Sequence, residues 1–358
     1  MAAEAVDLAD LERGAEAALP ASVWDFVAGG STREAVCSNR TGLDAVHVIP
    51  RVLTGAAAVS TRAPLPGGWA QAPLAVAPMA YQCLMHPEGE VEAAQAAKEH
   101  GIPFSVSTLT SRSLGDIAAT DADLWFQLYW VGSDRRVREL VEHAQEVGCR
   151  ALVITVDVPV MARRPRDIRN GFRLPPSVRA VLLDEAFGEA HRQGSGSAVA
   201  RHTNGLFHPA LTWDHVRKVR EWCDMPIVVK GILDPRDAVL AADHGADAVV
   251  VSNHGGRQFG AGPPASARIG PIADAVGERC RILFDSGVRS GADILRALAL
   301  GASGVLIGRP VLWGLAVGGR EGVTRVLDLL QTELAEALVL AGCSSPGDAG
   351  DLDVEVGS

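Results

Sequence analysis

From residue 70 onward the chain carries short apolar runs, rich in Val, Ile and Leu, in which hydrophobic and polar positions do not alternate. Eight recur: LAVAPM (74–79), FSVST (104–108), LWFQLY (124–129), ALVITVDV (151–158), PIVVKG (226–231), AVVVSN (248–253), RILFDS (281–286) and GVLIGR (304–309). A strand with one face in water would alternate, so runs of this kind predict strands buried on both faces, as in a parallel sheet covered by helices. Between the runs the period becomes helical. EGEVEAAQAAKEHG spaces its alanines and valine as a helix does and stops at glycine, and SDRRVRELVEHAQEVG opens on a Ser/Asp cap and also stops at glycine. TWDHVRKVREWC, DPRDAVLAADHG and SGADILRALALG repeat the plan. Strand then helix, eight times over, predicts an α/β protein of the (β/α)8 TIM-barrel class.

The spacing breaks once, between residues 158 and 226. Residues 177–208 are Gly/Ser-rich in part and lack regular periodicity, which predicts a long mobile loop after strand four, disordered without ligand and placed to act as a lid. Residues 1–70 predict a helical N-terminal extension with a turn at AGGS (28–31), residues 71–318 the barrel, and residues 319–358 a closing helix (320–341) and tail. No linker marks a second domain, so 1–358 reads as one. The stretch ALALGASGVLIGRPVLWGLAVGG (297–319) is long and nearly uncharged, but Arg309 and Pro310 at its middle and its recurrent glycines favour helix end, strand, turn and short helix over a membrane span.

Composition narrows the function. With 47% hydrophobic and 21% charged residues among 358, the chain has material for one large core, and a net charge of −10 argues against a nucleic-acid partner. Six scattered cysteines lack metal-ligand spacing and suggest neither zinc nor a disulfide framework, and the acidic N-terminus lacks the pattern of a signal peptide. The expectation is a cytoplasmic protein with no bound metal and no membrane attachment.

Barrel enzymes gather their chemistry at the C-terminal ends of strands. Those ends carry Pro78 and Met79; Ser107; Gln127 and Tyr129; Thr155 and Asp157; Lys230; Ser252, Asn253 and His254; Asp285, Gly287 and Arg289; and Gly308 and Arg309. DSGVRSG and GRP bring glycine amides and two guanidinia to the usual phosphate position of this fold, beside a helix N-terminus; the alternative is a glycine turn with solvated arginines. Ser107, Gln127, Thr155 and Lys230 offer donors and acceptors to a flat heterocycle, and flavin mononucleotide (FMN) meets the combined description.

The ordered set HPEGE (86–90), QLY (127–129), TVDVP (155–159), RRPRDIRNGF (163–172), VKGI (229–232), SNHGGRQ (252–258), DSGVRSG (285–291) and ALGASGVLIGRPV (299–311) closely resembles the FMN-dependent L-2-hydroxy acid oxidases and dehydrogenases, over about residues 8–343. The resemblance implies His254 as the base that takes a substrate proton, paired with Asp157, with Tyr129 on the substrate hydroxyl and Lys230 beside the flavin. Imidazole has a suitable intrinsic pKa for a base at neutral pH, and a carboxylate stabilises the imidazolium. Arg164 and Arg257 match the arginines that hold the substrate carboxylate, which suits a planar guanidinium fork. Pro78, Met79, Ala80, Ser107, Gln127, Thr155, Lys230, Ser252, Asp285, Gly287, Arg289, Gly308 and Arg309 match the cofactor site. Relatives are commonly tetramers, which implies a homo-oligomer.

Two departures bear on substrate. Phe26 stands where many relatives carry a carboxylate-binding tyrosine, and Leu109 where glycolate-oxidising relatives carry tryptophan, leaving a roomier apolar pocket. This favours an aryl 2-hydroxy acid, and Phe26 with AYQCLMHPEGE and LTW (211–213) looks most like the hydroxymandelate-oxidising branch. Dioxygen is the acceptor that branch implies. Met79, Met161 and Val160 either shape the pocket or simply pack. The competing readings are an aliphatic acid, with or without oxidative decarboxylation; an FMN-dependent isomerase; a Schiff-base aldolase using Lys230; and a barrel retained as a scaffold.

Overall fold

In the computed structural model, which describes residues 2–56, 58–183 and 207–357, the eight runs form eight parallel strands closed into one barrel. They are Leu74–Val76, Phe104–Ser107, Leu124–Leu128, Ala151–Thr155, Ile227–Ile232, Ala248–Val251, Arg281–Phe284 and Gly304–Ile307. Each pairs with the next and the last with the first, Val305 lying opposite Leu74. The missing alternation has a direct cause. Trp125, Val153, Val228, Val250, Leu283 and Leu306 fill one cluster, while their chain neighbours join a second that includes the helices, so both strand faces are buried.

Helices follow the strands as expected, including Glu90–Glu99, Asp134–Glu146, Pro235–Asp243 and Gly291–Ala299. Between the fourth and fifth strands stand the short helix Pro165–Arg169 and the helix Trp213–Trp222. Most of the lid expected at 177–208 lies outside the described residues.

The extension is helical only in part. Leu8–Ala18, Ala21–Ala28 and Arg33–Asp44 are helices, but Val46–Val48 is a strand paired antiparallel with Val354–Val356 of the tail, and Ala63–Leu65 pairs with Gly68–Ala70 in a hairpin. Leu65 and Ala70 of that hairpin belong to the barrel's inner cluster. Three-residue strands are too short to display a period. The closing helix begins at Arg309 rather than 320 and runs to Ala341, with a kink at Gly318 and Gly319, where Gly319 has φ 56°. The first segment is the short helix expected at the end of 297–319, and the two segments run together across the kink. The stretch 297–319 is otherwise helix end, strand, turn and helix, and among the described residues no helix is long and apolar enough to cross a membrane.

The extension matters to function because it grips the loops at the strand ends. Asn39 and Asn253 exchange amide hydrogen bonds at 2.8 and 2.7 Å, and the Ser31 amide donates to the Gly256 carbonyl at 2.9 Å. Arg40 donates to the Gly287 carbonyl at 2.8 Å and pairs with Asp293, a buried carboxylate that also accepts from the Arg289 amide at 2.8 Å. Charge-assisted bonds of this kind are among the stronger ones available to a loop.

The kink folds the closing helix back on itself so closely that a Cβ at Gly322 would lie 2.0 Å from the Gly314 carbonyl oxygen. Gly322→Ala is therefore expected to destabilise the protein by about 1–3 kcal/mol through overpacking, seen as an earlier denaturant midpoint at unchanged slope.

Candidate active site

The strand ends surround a cavity of about 1120 Å³, counting its open mouth. Among the expected residues, Phe26, Pro78, Met79, Ala80, Ser107, Leu109, Tyr129, Arg164, Lys230, His254, Arg257, Asp285, Gly287, Arg289, Gly308 and Arg309 line it. Gln127, Thr155, Ser252 and Asp157 stand behind that wall. Ser107 donates to Gln127 Oε1 at 3.2 Å, Gln127 Nε2 donates to Thr155 Oγ1 at 3.1 Å, and Lys230 Nζ donates to Ser252 Oγ at 3.0 Å.

His254 Nδ1 lies 3.0 and 3.1 Å from the two Asp157 carboxylate oxygens. A carboxylate there favours the Nδ1–H tautomer and leaves Nε2 as the ring's proton acceptor. Burial alone would raise the Asp157 carboxyl, but the charges of His254 and Lys230 and the His254 hydrogen bond outweigh it and hold the group below the usual carboxylate range. The backbone is shaped for this contact. His254, Gly255 and Gly256 are consecutively left-handed at φ 58°, 64° and 75°, a turn that the two glycines permit at little steric cost. On the facing strand Gly231 has φ 107°, and a Cβ there would lie 2.6 Å from Asp157 Cβ.

Arg164 and Arg257 converge on the same part of the cavity, their guanidinium carbons 5.6 and 5.1 Å from the Phe26 ring centre, while Phe26 stacks on Phe172. Arg257 donates to the carbonyls of Phe26 and Gly29 at 2.8 and 2.9 Å. Arg164 donates to Met161 Sδ at 3.1 Å, and its buried Nε makes no hydrogen bond among the described residues. Burial pushes both guanidinia below the ordinary arginine value, Arg257 well below, with Arg164 and Arg309 adding repulsion on Arg257. A buried pair in that condition suits an anion. Tyr129 stacks on Phe207 with ring centres 4.5 Å apart, and burial raises its hydroxyl above the ordinary tyrosine value.

The far end of the cavity is also cationic. Arg289 lies over the Trp313 ring at 4.6 Å and Arg309 beside the start of the closing helix; burial lowers Arg289 to about 10, and burial with the charge of Arg289 lowers Arg309 to about 9. Arg309 does more than line the wall: it donates to the carbonyls of Val27, Gly255 and Gly29, each at 3.0 Å, bracing the His254 loop against the extension. Lys230 pairs with Asp285 at 2.8 Å; burial alone would lower its ammonium, but Asp285 and Asp157 outweigh that and raise it. Two buried, mutually repelling guanidinia at one end, a lysine with the Ser107–Gln127–Thr155 chain in the middle, and an apolar wall opposite form a donor set that fits FMN, phosphate to ring.

Several lining residues were not singled out by sequence: Tyr81, Val27, Val158, Ser286 and Leu312. Ser286, inside DSGVRSG, was within reach of motif reading; it has φ 88°, and its hydroxyl accepts from the Gly255 amide at 3.0 Å and donates to Asp285 at 2.7 Å. Tyr81, buried and left-handed at φ 57°, carries no local signal in AYQC.

Barrel, cationic cradle and imidazole–carboxylate pair together define a flavin-dependent oxidoreductase, and the chain belongs to the FMN-dependent dehydrogenase family, which it matches over residues 15–355. More particularly, it is 51% identical to the 4-hydroxymandelate oxidase of Amycolatopsis orientalis over 98% of this chain and 99% of that protein. It is 40% identical to the L-lactate oxidase of Nostoc sp. over 96% of each. Among solved structures, that of mandelate oxidase with (S)-4-hydroxymandelic acid matches with a TM-score of 0.95 at 50% identity, over 99% of both chains.

Gly231→Ala is expected to cost about 1–3 kcal/mol through backbone strain and to slow turnover, because the new methyl must displace the Asp157 side chain. Equilibrium denaturation and steady-state kinetics of the variant read the two effects separately.

Proposed function

We propose that this protein oxidises an L-2-hydroxy acid with an aryl side chain, of the mandelate or 4-hydroxymandelate type, to the 2-oxo acid, with dioxygen as electron acceptor. The observation that carries the reading is His254, backed by Asp157 at 3.0 Å, sharing one cavity with the buried guanidinia of Arg164 and Arg257. Likeness to a 4-hydroxymandelate oxidase and to a mandelate oxidase structure supports it.

In this reading the guanidinia of Arg164 and Arg257 hold the substrate carboxylate, and Tyr129 hydrogen-bonds the substrate hydroxyl. His254 Nε2 takes the hydroxyl proton as the α-hydrogen leaves with its electron pair, and Asp157 stabilises the imidazolium that results. FMN, when bound, supplies the two-electron acceptor. Lys230 would set a positive charge beside it, Gln127, Thr155, Ser107, Ser252 and Asp285 would offer polar groups to its ring, and Gly287, Arg289, Gly308 and Arg309 would hold its phosphate. Phe26 has no hydroxyl to offer, so carboxylate binding leans on the arginines. Leu109, Met79, Ala80 and Met161 leave an apolar wall, against which a ring adds on the order of a few kcal/mol of binding. The acidic, cysteine-scattered composition fits a cytoplasmic protein, and resemblance to the family points to a homotetramer.

Peroxide release during turnover of L-mandelate, L-lactate and glycolate tests the assignment. The expected order places mandelate first by tenfold or more in kcat/KM; a preference for lactate would move the substrate class to aliphatic acids, and absence of turnover with all three would remove the hydroxy-acid reading. His254→Asn is expected to keep its flavin spectrum and lose on the order of 10²–10⁴ in kcat/KM.

A further inference from the structure

Gln258 follows Arg257 directly, is buried, and does not line the cavity. Its side chain nevertheless reaches across to a single neighbouring stretch. Nε2 donates to the carbonyl of Asp157 at 3.0 Å and to that of Val160 at 3.0 Å, and Oε1 accepts from the Ala162 amide at 3.2 Å. Both amide hydrogens are used, which is the full donor capacity of the group. The stretch it holds, 156–164, follows the fourth strand without helix or strand geometry, and it contains both Asp157 and Arg164. One amide therefore joins the loop of His254 and Arg257 to the loop that carries Asp157 and Arg164.

We infer that Gln258 is the positioning residue of the base: it fixes the separation of the two loops so that the Asp157 carboxylate stays on His254 Nδ1. This inference rests on the assignment of His254 as the base. The chemistry of the side chain is specific to the task. Glutamate would set a carboxylate against two carbonyl oxygens, asparagine falls one methylene short, and methionine keeps the volume with none of the three bonds. Loss of the tether lets the carboxylate drift, and a misplacement of about 1 Å near a reacting group costs roughly 10²-fold in rate.

The test uses flavin-loaded enzyme. Gln258→Met is expected to lower kcat for L-mandelate by about 10–100-fold with KM changed less than threefold, and with flavin absorbance close to wild type. Added to Asp157→Asn, the same substitution is expected to cost less than a further twofold, since the carboxylate it positions is gone. An unchanged kcat, a KM that rises as much as kcat falls, or a double variant whose losses multiply would overturn the inference. If Gln258→Met loses its fold or flavin, Gln258→Asn decides the matter by the same readouts. Full activity in His254→Asn or Asp157→Asn would instead sink the assignment of the base, a separate result from failure of Gln258 alone.

Discussion

Burial of positive charge is the constraint around which the strand-end face is built. Arg164, Arg257, Arg289, Arg309 and Lys230 all line one cavity, yet among the described residues only Lys230 has a carboxylate in ion-pair contact, Asp285 at 2.8 Å. Unpaired guanidinia removed from water are costly. The fold offsets part of that cost with backbone carbonyls at the end of helix Ala21–Ala28: those of Phe26, Val27 and Gly29 accept from Arg257 or Arg309. Carbonyls at a helix C-terminus lack partners within the helix and carry a partial negative charge, so they suit this use. In the proposed function a cofactor phosphate at one end and a substrate carboxylate at the other would offset the remainder.

That arrangement gives the N-terminal extension its purpose. Without it the His254 loop, with its three left-handed residues, would lose its support on one side. Arg309 reaches from the start of the closing helix to carbonyls on both the extension and Gly255, while Asn39 grips Asn253. The His254 loop is thus held from one side by the extension, from another by Ser286, and across the cavity wall by Asp157. Rigid support of this kind is what preorganised catalysis requires, because the groups must not reorganise as charge develops.

The parts legible in the sequence and the parts that were not divide along physical lines. The eight strands were readable because burial on both faces removes polar residues from a run, and the motifs at their ends because this chemistry demands uncommon side chains beside glycine. The strands 46–48, 63–65, 68–70 and 354–356 were not, since a period of two cannot be seen in three residues. Arg309 was recognisable as a cofactor residue, but its brace on Val27, Gly29 and Gly255 depends on contacts some 280 and 54 positions apart in the chain. Tyr81 lines the cavity through a backbone conformation to which its neighbours in sequence give no clue.

The central claim is that an imidazole backed by a carboxylate takes the substrate proton in the step that reduces the flavin. The most direct measurement is the single-turnover rate at which bound FMN bleaches under anaerobic L-mandelate, compared in wild type and Asp157→Asn. The account predicts a loss on the order of 10²–10⁴ in the variant. An equal rate in the two proteins would contradict it.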